Sequence, residues 1–302
     1  MALRRTVKAL LCIALFASMA ACSSVPEEKT PAKVLCPTGA PALSTLGIQD
    51  PELAEVEYTE GQDLLAAELN KSDSEYDVIV APVNLGVKSW KESDTWQLNA
   101  VVTWGNLYMV SDTQDWNVED NTIGAFGEGA VPGMVFQEVF PDLKCDVTFY
   151  PSAAEASQAL ISGQVHTALL AQPVAAAAVA KCKEAGTEVS VVSDLQQMWQ
   201  EKTGSDNKGY PQAGVFVKKG EDESAVLEAM SSFLENPTEE ELTAKIDEVT
   251  PEKLGVPNTK IAVSTWKAQN IHYGPASEIQ ADLEAFLSVF GMSIPDGFLS
   301  TN

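Results

Sequence analysis

The sequence predicts an α/β protein of two units, each a mostly parallel sheet flanked by helices. Three features predict it. Short apolar β-like runs alternate with helical segments, the runs stop at turns rich in Pro and Gly, and the pattern restarts after about residue 112.

In the first unit, about 33–105, residues 33–36 form a strand stopped by Pro37-Thr38-Gly39. Residues 55–58 form a second. GQDLLAAELN at 61–70 sets Leu64, Leu65 and Leu69 on one helical face. YDVIVA at 76–81 is a continuous apolar run, as a central parallel strand requires, and it ends at Pro82. WQLNAVVTWGNLYMV at 96–110 reads as one long β-rich run.

In the second unit, about 112–195, a strand at 122–126 leads through GEGAVPG into a helix that ends at Phe140. The strand at 146–150 stops at Pro151, and the helix at 152–163 ends on Gly163. A strand at 166–170 stops at Gln172-Pro173. An alanine-rich helix at 174–183 and a strand at 189–192 follow. The turn-rich GSDNKGYPQ at 204–212 then precedes a strand at 213–217 and three helices, at 223–234, 238–249 and 277–290. Thr238 with Glu241, and Ser277 with Gln280, have the spacing of capping boxes. The chain thus divides into one lobe of 33–105 with 213–302 and a second of 106–212 that includes the two hinge crossings. Crossings near 104–112 and 204–213 define a hinged cleft, and ligands of such sheets sit outside the carboxyl ends of the strands.

The N-terminus stands apart. Arg4, Arg5 and Lys8 precede a short apolar stretch at 9–21, so residues 1–21 read as a secretory signal. Met19-Ala20-Ala21-Cys22 resembles a bacterial lipobox, which implies cleavage before Cys22 and lipidation of its thiol, with palmitate among the expected modifications. A plain signal and a free secreted protein is the alternative. Residues 22–32 then serve as a flexible tether.

The formal charge of −24 excludes nucleic acid or anionic lipid as partners of the overall field. Arg4 and Arg5 are the only arginines, and both leave with the signal, so no guanidinium remains to clamp an anion bidentately. His166 and His272 are the only histidines; no cluster has metal-ligand spacing, and no cofactor is expected. Cys36, Cys145 and Cys182 are expected as free buried thiols, with a Cys145–Cys182 bridge the alternative. Cys36 has no recognisable base to make it a nucleophile. Gly127-Glu128-Gly129 lacks the continuation of a phosphate loop, and Glu128 suits a cationic or donor-rich ligand.

DVIVAPVNLG at 77–86, VVTWGNLYMVS at 101–111, TIGAFGEGAVPG at 122–133, AEASQALISGQVHTALLAQPVA at 154–175 and GYPQAGVFV at 209–217, in this order and behind a lipobox, carry a resemblance. The chain resembles the substrate-binding lipoproteins of ABC importers, of the type 2 periplasmic-binding-protein fold, in the nitrate, sulfonate, taurine and thiamine-pyrimidine branch. The resemblance implies a monomeric, non-catalytic protein on the outer face of a bacterial cell membrane. It closes on a small organic solute and hands it to ABC permease subunits. Carried over by position, the ligand loops fall on Pro37, Thr38, Gly39 and Ala40, and on Ala81, Pro82, Val83 and Asn84. In the second lobe they fall on Gly127, Glu128, Gly129 and Ala130, on Ser152, and on Gln172 and Pro173. Thr103 and Trp104 lie at the first crossing, Tyr210 and Gln212 at the second.

Each residue also has an ordinary structural role to fill. Thr38 either offers its hydroxyl and amide to a ligand or caps a helix; Asn84 likewise touches ligand or caps. Trp104 stacks on a flat ligand or sits in the core, and Tyr210 lines the hinge. His166 is read as structural, and His272 lies near the C-terminal helices, with a role at the cleft edge as the alternative. Together these favour a flat, neutral or cationic solute such as a pyrimidine-like vitamin precursor. The rival readings are a lipid-anchored sensor without a transporter and a small-molecule lyase on the same fold.

Overall fold

The structure is a computed structural model that describes residues 30–301; the expected signal, Cys22 and most of the tether lie outside them. The chain opens with β1 (Ala32–Pro37), α1 (Ala40–Leu43), β2 (Ala54–Thr59), α2 (Asp63–Leu69), β3 (Val78–Pro82), α3 (Val83–Ser93) and β4 (Trp96–Thr103). It continues with β5 (Leu107–Ser111), β6 (Thr122–Phe126), α4 (Val131–Val139), β7 (Asp146–Tyr150), α5 (Ala153–Ile161), β8 (Thr167–Ala171), α6 (Val174–Glu184), β9 (Ser190–Asp194) and α7 (Leu195–Thr203). It returns through β10 (Ala213–Lys218), α8 (Ser224–Glu235), α9 (Glu239–Val249), α10 (Pro251–Leu254), α11 (Thr259–Ser264), β11 (Ile271–Pro275) and α12 (Gln280–Ser288).

Two sheets result. The first has the order β2-β1-β3-β10-β4-β11, the second β7-β6-β8-β5-β9. The two share one plan. In the first, β1 pairs parallel with β2 and β3, and β10, which arrives from the second sheet, inserts antiparallel between β3 and β4. In the second, β6 pairs parallel with β7 and β8, and β5, which arrives from the first sheet, inserts antiparallel between β8 and β9. Most strands of each sheet therefore run one way, and the incoming strand runs against them.

Alternation explains why the central strands are apolar throughout. Val34, Cys36, Val78 and Val80 pack on one face of the first sheet, against α1, α8 and α9. Leu35, Ile79 and Ala81 pack on the other, against α2 and α3. Both faces are buried, so side chains of both parities must be apolar. The second face is continuous with the core of the second sheet through Trp104, Trp199, Tyr210 and Phe286.

Two expectations need correction. The long run at 96–110 is two strands in two different sheets, because Gly105 takes a positive φ of 82° and turns the chain out of the first. The capping box at Ser277 does not form: Ser277 lies inside a 3-10 turn, Ala276–Glu278, and Ile279 occupies the cap position of α12 without a side-chain bond. The box at Thr238 does form, with Thr238 Oγ1 accepting the Glu241 amide and Glu241 Oε2 accepting the Thr238 amide. Cys36, Cys145 and Cys182 are all free and buried, as expected, and the alternative Cys145–Cys182 bridge does not form. Burial alone pushes the Cys36 thiol well above its usual range, which keeps it an unreactive thiol. Sequence periodicity left α1, α3, α7, α10, α11 and β11 without ranges.

A candidate cleft at the strand ends and crossings

The topology brings the expected loops to one end of each sheet. The carboxyl ends of β1, β3 and β4 share an edge with the start of β10, through the pairs Pro82–Ala213 and Thr103–Ala213. The carboxyl end of β8 meets the start of β5, through Leu107–Ala171, and β6 and β7 run parallel beside it. Both ends lie at the two segments that cross between the sheets, 104–106 and 204–212.

After β1, Pro37 and Thr38 are partly buried and Ala40 is buried. The Thr38 amide donates to Thr59 O (3.0 Å) and the Gly39 amide to Leu254 O (2.7 Å). These two amides are therefore spent within the protein, against the expectation that they serve a ligand. Thr38 does not cap α1 either, because Gly39 holds that position with a φ of 93°. After β3, Ala81 is buried, Pro82 takes the cap position of α3, and the Val83 amide donates to Gln212 O (3.1 Å). Asn84 lies inside the first turn of α3 and caps nothing; its Oδ1 is buried without a partner.

In the second sheet, Gly127 O accepts the amides of Ala130 and Gly133, which folds Gly127-Glu128-Gly129 into a tight turn before α4. Glu128 stands exposed at its tip. Ser152 caps α5, its Oγ accepting the Glu155 amide (3.2 Å). Gln172 is buried, its Oε1 accepts the Ala176 amide, and it precedes Pro173 through a cis bond.

The crossings are built from buried aromatics and amides. Trp104 is fully buried: its ring stacks on His272 (centroids 4.9 Å, 7°) and its Nε1 donates to His272 O (3.2 Å). Tyr210 is also fully buried, stacked on Phe286 (5.8 Å, 9°) and edge-on to Trp199. Neither ring is open to stack on a solute, so the basis for a flat ligand falls away. The physical reason is close backbone approach. A Cβ on Gly105 would sit 2.5 Å from the Tyr210 ring, and one on Gly209 would sit 1.8 Å from Trp104 O.

Three amides that sequence reasoning missed fasten these segments. Asn106 Nδ2 donates to Gln172 O (2.8 Å), and Gln172 N donates back to Asn106 O (2.9 Å). Gln196, fully buried on α7, brackets Leu107 by accepting its amide (2.7 Å) and donating to its carbonyl (3.0 Å). Asn270 donates to Trp104 O (2.8 Å) and Lys208 O (2.9 Å), stitching the two crossings together. The one local signal was an amide residue beside a Gly or a strand end. At the start of the return crossing, Ser205 and Asn207 donate to the carboxylate of Asp282 on α12.

Burial keeps the titratable rings of the crossings uncharged. Burial pushes the Tyr210 hydroxyl well up, with Tyr108 and Asp194 adding to it, and pushes Tyr108 up to about 12 with help from Asp194. Burial pushes His272 down, so all three are neutral at pH 7. His166 lies elsewhere, exposed, with Nδ1 2.7 Å from Asp112 Oδ2. Lys208 is held by Asp194 at 2.7 Å.

No protein-family model and no curated protein matches the chain. Solved structures do. An ABC transporter protein from Parabacteroides distasonis is 20% identical, with a TM-score of 0.71, over 91% of this chain and 100% of its own. The ligand-binding component of an ABC-type import system from Staphylococcus aureus, solved with zinc bound, is 12% identical, with a TM-score of 0.60, over 90% and 97%. The periplasmic aliphatic sulphonate binding protein of Escherichia coli is 13% identical, with a TM-score of 0.60, over 87% and 92%. These likenesses establish the fold, the two-lobed type 2 periplasmic-binding-protein fold that the sequence resembles.

Proposed function

We propose that the protein is the solute-binding lipoprotein of an ABC importer, held on the outer face of a bacterial cell membrane by a lipid on Cys22. One lobe comprises 33–105 and 213–302, the other 106–212. A small organic solute enters between the strand ends, the lobes close about the two crossings, and the closed form docks on permease subunits. The work is desolvation and closure, with no bond made or broken. The observation that carries this reading is the meeting of both sheets' strand ends at two crossings rich in buried polar groups. The solved relatives described as transport components add support.

Thr38, Asn84, Thr103, Glu128 and Gln212 are the side chains this reading assigns to the solute. Trp104 and Tyr210 move to a supporting role, as the packed floor on which the crossings bend. Mass spectrometry of the protein purified from membranes tests the anchor: the N-terminal peptide is expected to begin at an acylated Cys22, and a peptide that begins elsewhere rejects it. Titration with extract of the growth medium tests capture. The radius of gyration is expected to shrink and the melting temperature to rise; no change in either rejects solute capture.

A further inference from the structure

We propose that the cleft selects a small organic cation bearing N–H donors, of the alkylammonium or amidinium kind, and that Thr103, Asn106 and Glu128 do the selecting. This rests on the solute-capture reading and adds the chemistry of the solute. Among the described residues, eight buried side-chain nitrogen or oxygen atoms have no partner in the protein. Five of them are oxygens on the strand ends and crossings: Asn84 Oδ1, Thr103 Oγ1, Asn106 Oδ1, Tyr210 Oη and Gln212 Oε1. Thr103, Tyr210 and Gln212 stand on one backbone ladder, with Asn84 next to it in sequence: Val83 donates to Gln212 O (3.1 Å), Gln212 to Thr103 O (2.9 Å) and Tyr210 to Trp104 O (3.0 Å), while Asn106 follows Trp104 and Gly105. Each unmet oxygen carries a desolvation cost that no partner within the protein offsets. Such a row at one place in the fold is a standing preference for a partner that comes from outside.

Three of these residues are nearly inaccessible, Tyr210 at 0% exposed, Thr103 at 1% and Asn106 at 4%. The orientation of Asn106 is fixed, because its Nδ2 already donates to Gln172 O; the end left over is an acceptor. Charge narrows the class further. No arginine lies among the described residues. Lys208, the one lysine on these strand-end loops and crossings, is tied to Asp194. Glu128 projects from the second lobe, exposed and in no ion pair with the described residues. An anion would meet the fixed acceptor end of Asn106 and the Glu128 carboxylate, with side-chain hydroxyls and amides but no cation or free Thr38 or Gly39 amide to receive it. An ammonium or amidinium group would donate to the same oxygens and balance Glu128.

The test uses the full chain, calorimetry and thermal denaturation, with butylammonium, putrescine and acetamidinium set against butanesulfonate and nitrate. At least one of the cations is expected to bind and raise the melting temperature, and the anions to do neither. Glu128→Gln, at an exposed site, should weaken the cation about fivefold and flatten its salt dependence. Thr103→Val should weaken it about tenfold while leaving the ligand-free melting temperature unchanged or higher, since valine removes an unmet hydroxyl. A Thr103→Val protein of altered melting temperature and unaltered affinity assigns Thr103 to structure and overturns its role. Binding of butanesulfonate or nitrate without any cation overturns the solute class and leaves capture intact. If none of the five probes binds, the solute captured from medium extract is identified by native mass spectrometry. A cationic N–H compound there supports the proposal, any other compound overturns it, and no captured compound overturns the capture reading with it.

Discussion

His272 puts a pH dependence into the packing at the first crossing. It stacks on Trp104, and burial lowers its pKa below the ordinary value of 6.5. An unfolded chain therefore binds a proton there before the folded one does. The stability tied to the neutral ring is fully present above about pH 6.5 and is lost as the pH falls toward the lower folded value. His272→Phe keeps a flat ring against Trp104 and removes the titration. Its melting temperature is expected to fall less between pH 7 and pH 5 than that of the parent; parallel curves would show that the drop comes from other groups. The same residue shows what local sequence withholds. Trp104 and Tyr210 lie beside crossings, where an exposed ring would stack on a ligand, and nothing within a few residues says they are covered. Their covers, His272 and Phe286, come from far along the chain. Thr103, Gln212 and Glu128, by contrast, were legible as polar residues at strand ends. Asn106, Gln196 and Asn270 were not, because an amide that brackets a distant backbone has no sequence spacing.

Elements were legible where two signals agreed. YDVIVA reads as a buried strand because the run is apolar at both parities and a proline ends it. The run at 96–110 misled because apolar continuity was read without weight on Gly105. Capping boxes give the sharpest contrast. Thr238-x-x-Glu241 and Ser277-x-x-Gln280 have equal spacing, yet only the first forms, since the chain leaving β11 makes a 3-10 turn that consumes Ser277. Thr238→Ala is therefore expected to cost about 1 kcal/mol in urea unfolding, within the range for lost caps, and Ser277→Ala only a few tenths. Equal costs for the two substitutions would place the start of α12 at Ser277.

At the scale of the molecule, alternating strands and helices made the two sheets readable, and the turn-rich 204–212 made the return legible. Strand order was not readable, because it depends on which distant strand fills which slot. The return crossing is secured by Asp282, which accepts from Ser205 Oγ and from Asn207 Nδ2 (2.7 Å). Asp282→Ala removes both bonds while leaving the buried ring stack of Tyr210 and Phe286. Amide hydrogen exchange across 204–212 is expected to speed up about 5–30-fold, the equivalent of roughly 1–2 kcal/mol of local stability. Unchanged exchange there would locate the restraint wholly in the ring stack.

The insertion of β10 between β3 and β4 also sets an order of assembly. These two strands are consecutive in sequence but stand one slot apart, and the slot waits for residues 213–218. A nascent chain that has emerged only as far as Thr103 holds apolar strands with open edges and cannot close its first sheet. The second sheet, β5 to β9, is contiguous and can close first. The lobe that begins the chain is thus the last to be completed, and its maturation waits on the C-terminal third of the polypeptide.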